Sequence, residues 1–148
     1  MALYHDFLVD DREFTSYDDL KAHCRLKSPD NFNFAYDIVD RYTITEPGKK
    51  ALVWVDDNGE EKIFTFEDIS RESKRTAYYL KKLGIKKGDA VMLMLRRRYE
   101  WWIIMMALHR IGAIAVPATS QLLSHDIEYR NKAAEIKMII TCDDESLQ

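Results

Sequence analysis

Three stretches of this 148-residue sequence carry residue types suited to chemistry. Arg96-Arg97-Arg98 places three guanidinium groups behind an apolar run, and guanidinium suits phosphate through bidentate contact. Thr119-Ser120-Gln121 gathers two hydroxyls and an amide behind a second apolar run. Together with the free backbone donors of a helix start, such groups can meet an anion. Ser124-His125-Asp126 has the residue types of a nucleophile, a base and an orienting acid. That last reading fails on geometry, because consecutive helical residues point about 100° apart and cannot form a relay among themselves. It reads instead as a helix start capped by Ser124.

Each remaining stretch has a plainer reading beside the chemical one. The arginines equally form a solvated loop that balances nearby acids, and residues 119–121 equally form a polar turn ahead of a helix. Trp101-Trp102 could line a binding surface or belong to the core. His5, His23, His109 and His125 show no metal-ligand spacing, and His109, inside an apolar helix, reads as a packing residue. The sequence contains no GxxxxGK[ST], no GxGxxG after a strand, no HExxH, no GxSxG and no EF-hand loop.

The elements that must position these groups follow from pattern. Residues 1–15 read as an extended arm and Ser16 to Leu26 as a capped helix ending before Ser28-Pro29. Phe34, Ile38 and Tyr42, with Val39, give an amphipathic helix over 32–42. Ala51–Val55 and Lys62–Phe66 flank Asn58-Gly59, a hairpin signal. Thr65-x-x-Asp68 is a capping box for a helix stopped by Gly84. Ala90–Leu95 is apolar on both faces, as in a buried parallel strand. Tyr99–Ile111 is a largely buried helix stopped by Gly112. Ala113–Val116 reads as another buried strand, 124–134 as a helix, and Lys137–Thr141 as a last strand. Alternating strands and helices with short loops predict an α/β fold: a mainly parallel sheet with flanking helices plus a β-hairpin. Both chemical loops then sit at carboxyl ends of strands, where α/β sheets take ligands.

Composition bounds the possible functions. With 47% hydrophobic residues the chain can build a core without disulfides or metal. Twenty-two basic residues against 25 acidic ones, net −3, argue against a general nucleic-acid binder. The longest apolar run, Trp101–Leu108, is far short of the ~20 residues a spanning helix needs. Acids in the first dozen residues exclude a secretory signal, and Cys24 and Cys142 read as free thiols of a reducing cytosol, so the expected location is cytoplasmic.

Eight pieces in order carry a family resemblance. They are Phe32-Asn33-Phe34-Ala35, Ala51–Val55, Thr65–Asp68, Leu83–Val91, Glu100-Trp101-Trp102, Arg110–Ala113, Val116–Thr119 and Asp126–Arg130. Together they resemble the N-terminal part of AMP-forming acyl-CoA synthetases, of the adenylate-forming superfamily, and most of all the medium-chain enzymes. The resemblance implies part of that family's N-terminal domain over 32–148, behind an arm and helix over 1–31. It implies activation of a short- to medium-chain fatty carboxylate by ATP with Mg²⁺, then acyl transfer from acyl-AMP to CoA. Thr119, Ser120 and Gln121 correspond to a CoA-proximal loop, and Arg97 is the candidate phosphate contact. The resemblance implies no catalytic residue and no metal ligand within these residues. The family's phosphate loop, acyl pocket and catalytic lysine fall after the matching region, so the chain alone is expected to be inactive and to self-associate through an apolar patch. Rival readings are a non-catalytic nucleotide-binding α/β module, or an acetyl-CoA synthetase, aryl-CoA ligase or peptide-synthetase adenylation domain.

Overall fold

The computed structural model describes residues 3–10 and 12–142. It divides into two compact units, Met1–Phe32 and Asn33–Gln148. In the first, a 3₁₀ turn (Leu3–Phe7) leads into an antiparallel bridge between Leu8 and Leu26. The Val9 N–H donates to the Arg25 carbonyl and the Lys27 N–H to that of Phe7, both at 2.9 Å. The arm is therefore folded back rather than extended. Helix α1 (Tyr17–His23) starts where expected, the Ser16 hydroxyl accepting the Asp19 N–H, but ends earlier.

The second unit opens with a π-helical turn (Ala35–Asp40) running into α2 (Arg41–Thr45). The wider turn moves the buried stripe to Ala35 and Val39 and leaves Phe34 exposed, one position off the regular 3.6-residue pattern. Strands β1 (Lys50–Val55) and β2 (Glu61–Thr65) pair antiparallel, with Val55 opposite Glu61. The loop is five residues long rather than a two-residue turn. The Asp56 carboxylate organises it by accepting the N–H groups of Asn58 and Glu60, and Gly59 supplies φ +84°.

Helix α3 (Phe66–Lys82) carries the expected capping box: Thr65 Oγ1 accepts the Asp68 N–H and Asp68 accepts the Thr65 N–H. The Thr65 N–H and then the Thr65 hydroxyl, both donating to the Asp68 carboxylate, hold that carboxyl below its usual pKa, with Arg71 adding to the effect. At the other end the Ile85 N–H reaches the Leu80 carbonyl and the Gly84 N–H that of Lys81, a Schellman closure with Leu80 and Ile85 both buried.

Strand β3 (Ala90–Met94) is buried along its whole length at the centre of a parallel sheet ordered β4-β3-β5. Helix α4 (Glu100–Ile111) ends on Gly112 at φ +75°. Val91 and Leu93 pack beneath Ala77, Leu80, Ala107 and Leu108 of α3 and α4, forming the main core. Burying each large side chain there is worth roughly 1.5–3 kcal/mol. Strands β4 (Ile114–Pro117) and β5 (Ile136–Thr141) flank β3. The expected burial of β4 does not hold: its residues are exposed or half-buried, because it lies at a sheet edge. Helix α5 (Ser124–Ala133) buries no residue, and its cap position belongs to Leu123, not Ser124. The Asp126 carboxylate closes that helix start by accepting the Leu123 N–H.

Candidate functional site

Strand order decides where a ligand crevice can form. The chain passes from β3 through α4 to β4, then through α5 to β5 on the opposite side of β3. Right-handed connections put α4 and α5 on opposite faces of the sheet. The loops leaving β3 and β4 therefore diverge, and the gap between them is a topological switch point. The two strand ends are in register, Leu93 opposite Pro117, and the Ala118 N–H donates to the Leu93 carbonyl at 2.9 Å. The loops carrying Arg96–Arg98 and Thr119–Gln121 thus leave adjacent parallel strands.

Each loop has its own anchor. Arg96 takes a left-handed backbone at φ +48°, which turns the chain sharply after β3. Trp54 Nε1 then donates to the Arg97 carbonyl at 2.7 Å, tying the loop to the hairpin. The side chains of Arg97 and Arg98 are exposed. They border a groove of about 470 Å³ whose other walls are Leu52–Val55, Trp101 and Trp102. In the β4 loop, Thr119 Oγ1 accepts the Gln121 N–H at 3.2 Å, a local hydroxyl turn. Ser120 is half-buried. The two candidate sets stay distinct, since residues 119–121 do not line the arginine groove. The tryptophan pair divides: Trp101 packs against the core, whereas Trp102 is 50% exposed.

His109 is the packing histidine expected. It meets the Phe34 ring edge-on at 6.2 Å, and burial pushes its imidazole below the usual pKa. His125 and Asp126 are exposed neighbours 3.4 Å apart, with no relay to Ser124. A second recess of about 600 Å³, lined by Phe64, Asp68, Glu72, Glu100 and Ile103 among others, holds the buried and unpartnered Oε2 of Glu100. No group of three or more His, Cys, Asp or Glu side chains able to hold a metal occurs among the described residues. No step through an Mg²⁺ ion is assigned to them.

The most tightly bonded polar cluster escapes sequence reasoning. Arg110, its side chain 2% exposed, donates to both carboxylate oxygens of Asp40 at 2.6 and 2.8 Å. Ser70 Oγ donates to Asp40 at 2.7 Å, Lys74 lies 3.3 Å away, and Arg110 Nε donates to Ser73 Oγ at 2.9 Å. Burial alone would raise the Asp40 pKa. The Arg110 and Ser70 hydrogen bonds, the guanidinium charge and Lys74 outweigh it and bring the group to about 2. The cluster locks the π turn onto α3 and α4, beneath the helix that carries the tryptophan pair. Ser73 is buried on the apolar face of α3 beside Ile69, Ala77 and Leu80.

The sequence profile of the AMP-binding enzymes matches residues 40–148. The chain belongs to the AMP-binding enzyme family. This family member is 35% identical over 149 residues to the mouse (Mus musculus) acyl-coenzyme A synthetase ACSM3, mitochondrial, with 96% of this chain and 26% of that protein aligned. It is 40% identical over 121 residues to the rat (Rattus norvegicus) acyl-coenzyme A synthetase ACSM5, mitochondrial, with 78% of this chain and 21% of that protein aligned. It spans about a quarter of the length of the curated relatives it matches. Among solved structures it is similar to the N-terminal subdomain of Klebsiella oxytoca NpsA in complex with anthranilyl-AMSN. There the TM-score is 0.65 at 28% identity, over 72% of this chain and 27% of that one. The α/β reading, with parallel sheet, flanking helices and antiparallel hairpin, is that of an adenylate-forming N-terminal subdomain. The cytoplasmic expectation is overturned, because these relatives are named mitochondrial. Free thiols do not tell one reducing compartment from another. No helix among the described residues is long and apolar enough to cross a membrane.

Proposed function

We propose that the chain is the front portion of the catalytic domain of an acyl-CoA synthetase. The whole protein would activate a short- to medium-chain fatty carboxylate with ATP to acyl-AMP and transfer the acyl group to CoA. The observation that carries this is the 35% identity to a named acyl-coenzyme A synthetase along 96% of the chain. In this reading the chain supplies scaffold and one wall of the site rather than reacting groups. Thr119, Ser120 and Gln121, at the β3/β4 switch point, are the CoA-proximal contacts. Their hydroxyls and amide would hydrogen-bond the nucleotide end of CoA while the rigid β3–β4 pair fixes the loop. ATP phosphate contacts and Mg²⁺ ligands are assigned to other parts of the protein, and the 148 residues alone are inactive.

The test is pyrophosphate–ATP exchange with octanoate. The longer protein that contains this segment is expected to exchange and to form octanoyl-CoA, and the 148-residue chain is expected to do neither. Exchange by the short chain overturns the inactivity, and failure of the longer protein to form any acyl-CoA overturns the function. A second reading, an aryl-acid ligase, is favoured by the likeness to NpsA complexes with anthranilyl-AMSN and 3-hydroxybenzoyl-AMSN. Benzoate or anthranilate outperforming octanoate in the same exchange would select it.

A further inference from the structure

We propose that the amino end of the parallel sheet is a docking face for an anionic lipid surface, on which the chain lies peripherally. The inference rests on charge and exposure at that end and not on the activity proposed above. Between Ser73 and Tyr99 the sequence carries nine basic residues and one acid, Asp89, in a chain whose net charge is −3. Three of the nine, Arg96–Arg98, follow β3 at the opposite, carboxyl end of the sheet. Lys74 and Arg75 have acids of their own, Asp40 at 3.3 Å and Glu72 at 3.4 Å. Lys81, Lys82, Lys86 and Lys87 remain. All four are exposed, and none has a carboxylate within ion-pair distance among the described residues. Asp89 makes no ion pair with them; its carboxylate accepts the Lys86 N–H at 2.8 Å and closes the turn ahead of β3.

The fold brings these lysines to one end. Helix α3 packs on β3 and joins it through residues 83–89, so the end of the helix lies at the amino end of the strand. The loop is fixed there: the Gly88 N–H donates to the Gly112 carbonyl at 2.9 Å and the Ile114 N–H to the Asp89 carbonyl at 2.8 Å. The stem of Lys87 lies against Gly112, where an added Cβ would meet it at 3.1 Å. Apolar groups stand among the cations. Tyr78 is one helical turn from Lys82, whose ammonium lies 4.7 Å from the ring centre, and Tyr79 is one turn from Leu83. Ile114 opens β4 opposite Ala90. Tyr78, Tyr79, Leu83 and Ile114 are each more than half exposed. Clustered lysines attract an anionic bilayer, tyrosine rings suit its headgroup level, and aliphatic side chains enter the boundary below. Lysine also meets the phosphates of RNA, and tyrosine also stacks on bases. Leu83 and Ile114 decide for lipid, since a sugar–phosphate backbone leaves them in water and a bilayer buries them. Docked in this way, the chain keeps the carboxyl ends of its strands, with residues 119–121, away from the lipid.

Vesicle flotation with the 148-residue chain is the test, because lipid-bound protein rises while self-associated protein sinks. Vesicles of two parts phosphatidylcholine to one part phosphatidylglycerol should bind the chain at least about tenfold better than phosphatidylcholine alone. That binding should fall at least about tenfold between ~0.1 M and ~1 M salt. Replacing Lys81, Lys82, Lys86 and Lys87 together by glutamine, at unchanged far-UV dichroism, should weaken it at least about a hundredfold, at about fivefold per lysine. Leu83→Ser, at the same dichroism, should weaken it about fivefold. The proposal is overturned by a chain that stays down with anionic vesicles, by neutral vesicles that bind equally well, or by a quadruple variant that floats like the wild type. Leu83→Ser without effect would make the face a general polyanion site and overturn it. Polyuridylate that displaces the vesicles would make it an RNA surface and overturn it too.

Discussion

Replacing Asp40 with Asn tests the account of what joins the π turn to α3 and α4. The carboxylate holds a bidentate contact with Arg110, whose side chain is almost fully buried, while Asp40 itself is 21% exposed. Its pKa of about 2 against an ordinary 3.8 makes ionised Asp40 worth roughly 2.4 kcal/mol at neutral pH. Asn keeps one acceptor oxygen but leaves the guanidinium charge uncompensated, so the loss at pH 6 should lie between about 2 and 4 kcal/mol. The folded pKa is depressed, so this stabilisation is complete well above pH 3.8 and drains away as pH falls toward 2. Wild type should lose about 1 kcal/mol of it between pH 6 and pH 3. Asp40→Asn has nothing to lose there, and the other acids cancel in the comparison. Urea unfolding of both proteins at the two pH values gives the gap directly. A gap under ~1 kcal/mol at pH 6, or one that does not narrow by pH 3, would refute the reasoning. Replacing both partners, Asp40→Leu with Arg110→Met, should recover most of the loss, because no charge is then stranded.

Three other outcomes are expected. Arg97→Ala should change unfolding free energy by less than ~0.5 kcal/mol, since the loop is held by the Arg97 carbonyl and not by its side chain; urea denaturation checks this. Glu135→Gly should raise stability by about 0.5–1 kcal/mol, because Glu135 sits at φ +47° between α5 and β5, where only glycine is unstrained; thermal melting reports the gain. Ile114 on β4 and Ile139 on β5 are exposed on edge strands, so the chain should self-associate as concentration rises. Light scattering that shows a monodisperse monomer at high concentration would contradict this.

The parts legible in the sequence are those governed by neighbours a few residues apart. Thr65 and Asp68 announce their helix because capping is local, and Gly84 and Gly112 mark helix ends because positive φ is unstrained for glycine and disfavours other side chains. The apolar run of β3 announces burial on both faces for the same reason. The rest depends on residues far apart in the chain. Asp40 and Arg110 are 70 positions apart, and nothing in either neighbourhood marks them as partners. The π turn comes from packing of Ala35 and Val39 against Ile69 and Ile103 and shifts a stripe that a 3.6-residue period puts on Phe34. The α5 end carries glutamate where a glycine would have signalled the stop. At the candidate site, both loops were legible as polar segments behind strands. The link from Trp54 to Arg97, which makes the arginine loop one wall of a groove, was not.

The sheet order also bears on how the chain is made. Its central strand, β3, is the first of the three to be synthesised, and both neighbours come later. At ~5–20 residues per second, several seconds separate β3 from the completion of β5. During that interval five consecutive apolar residues, Ala90–Met94, first lack both hydrogen-bonding neighbours and then, once β4 has followed, still lack β5. Helices α3 and α4 can shield one face in the meantime; the other stays open until translation reaches Thr141. Yield of soluble protein should therefore respond to translation speed and to chaperone supply more steeply than its equilibrium stability alone would indicate.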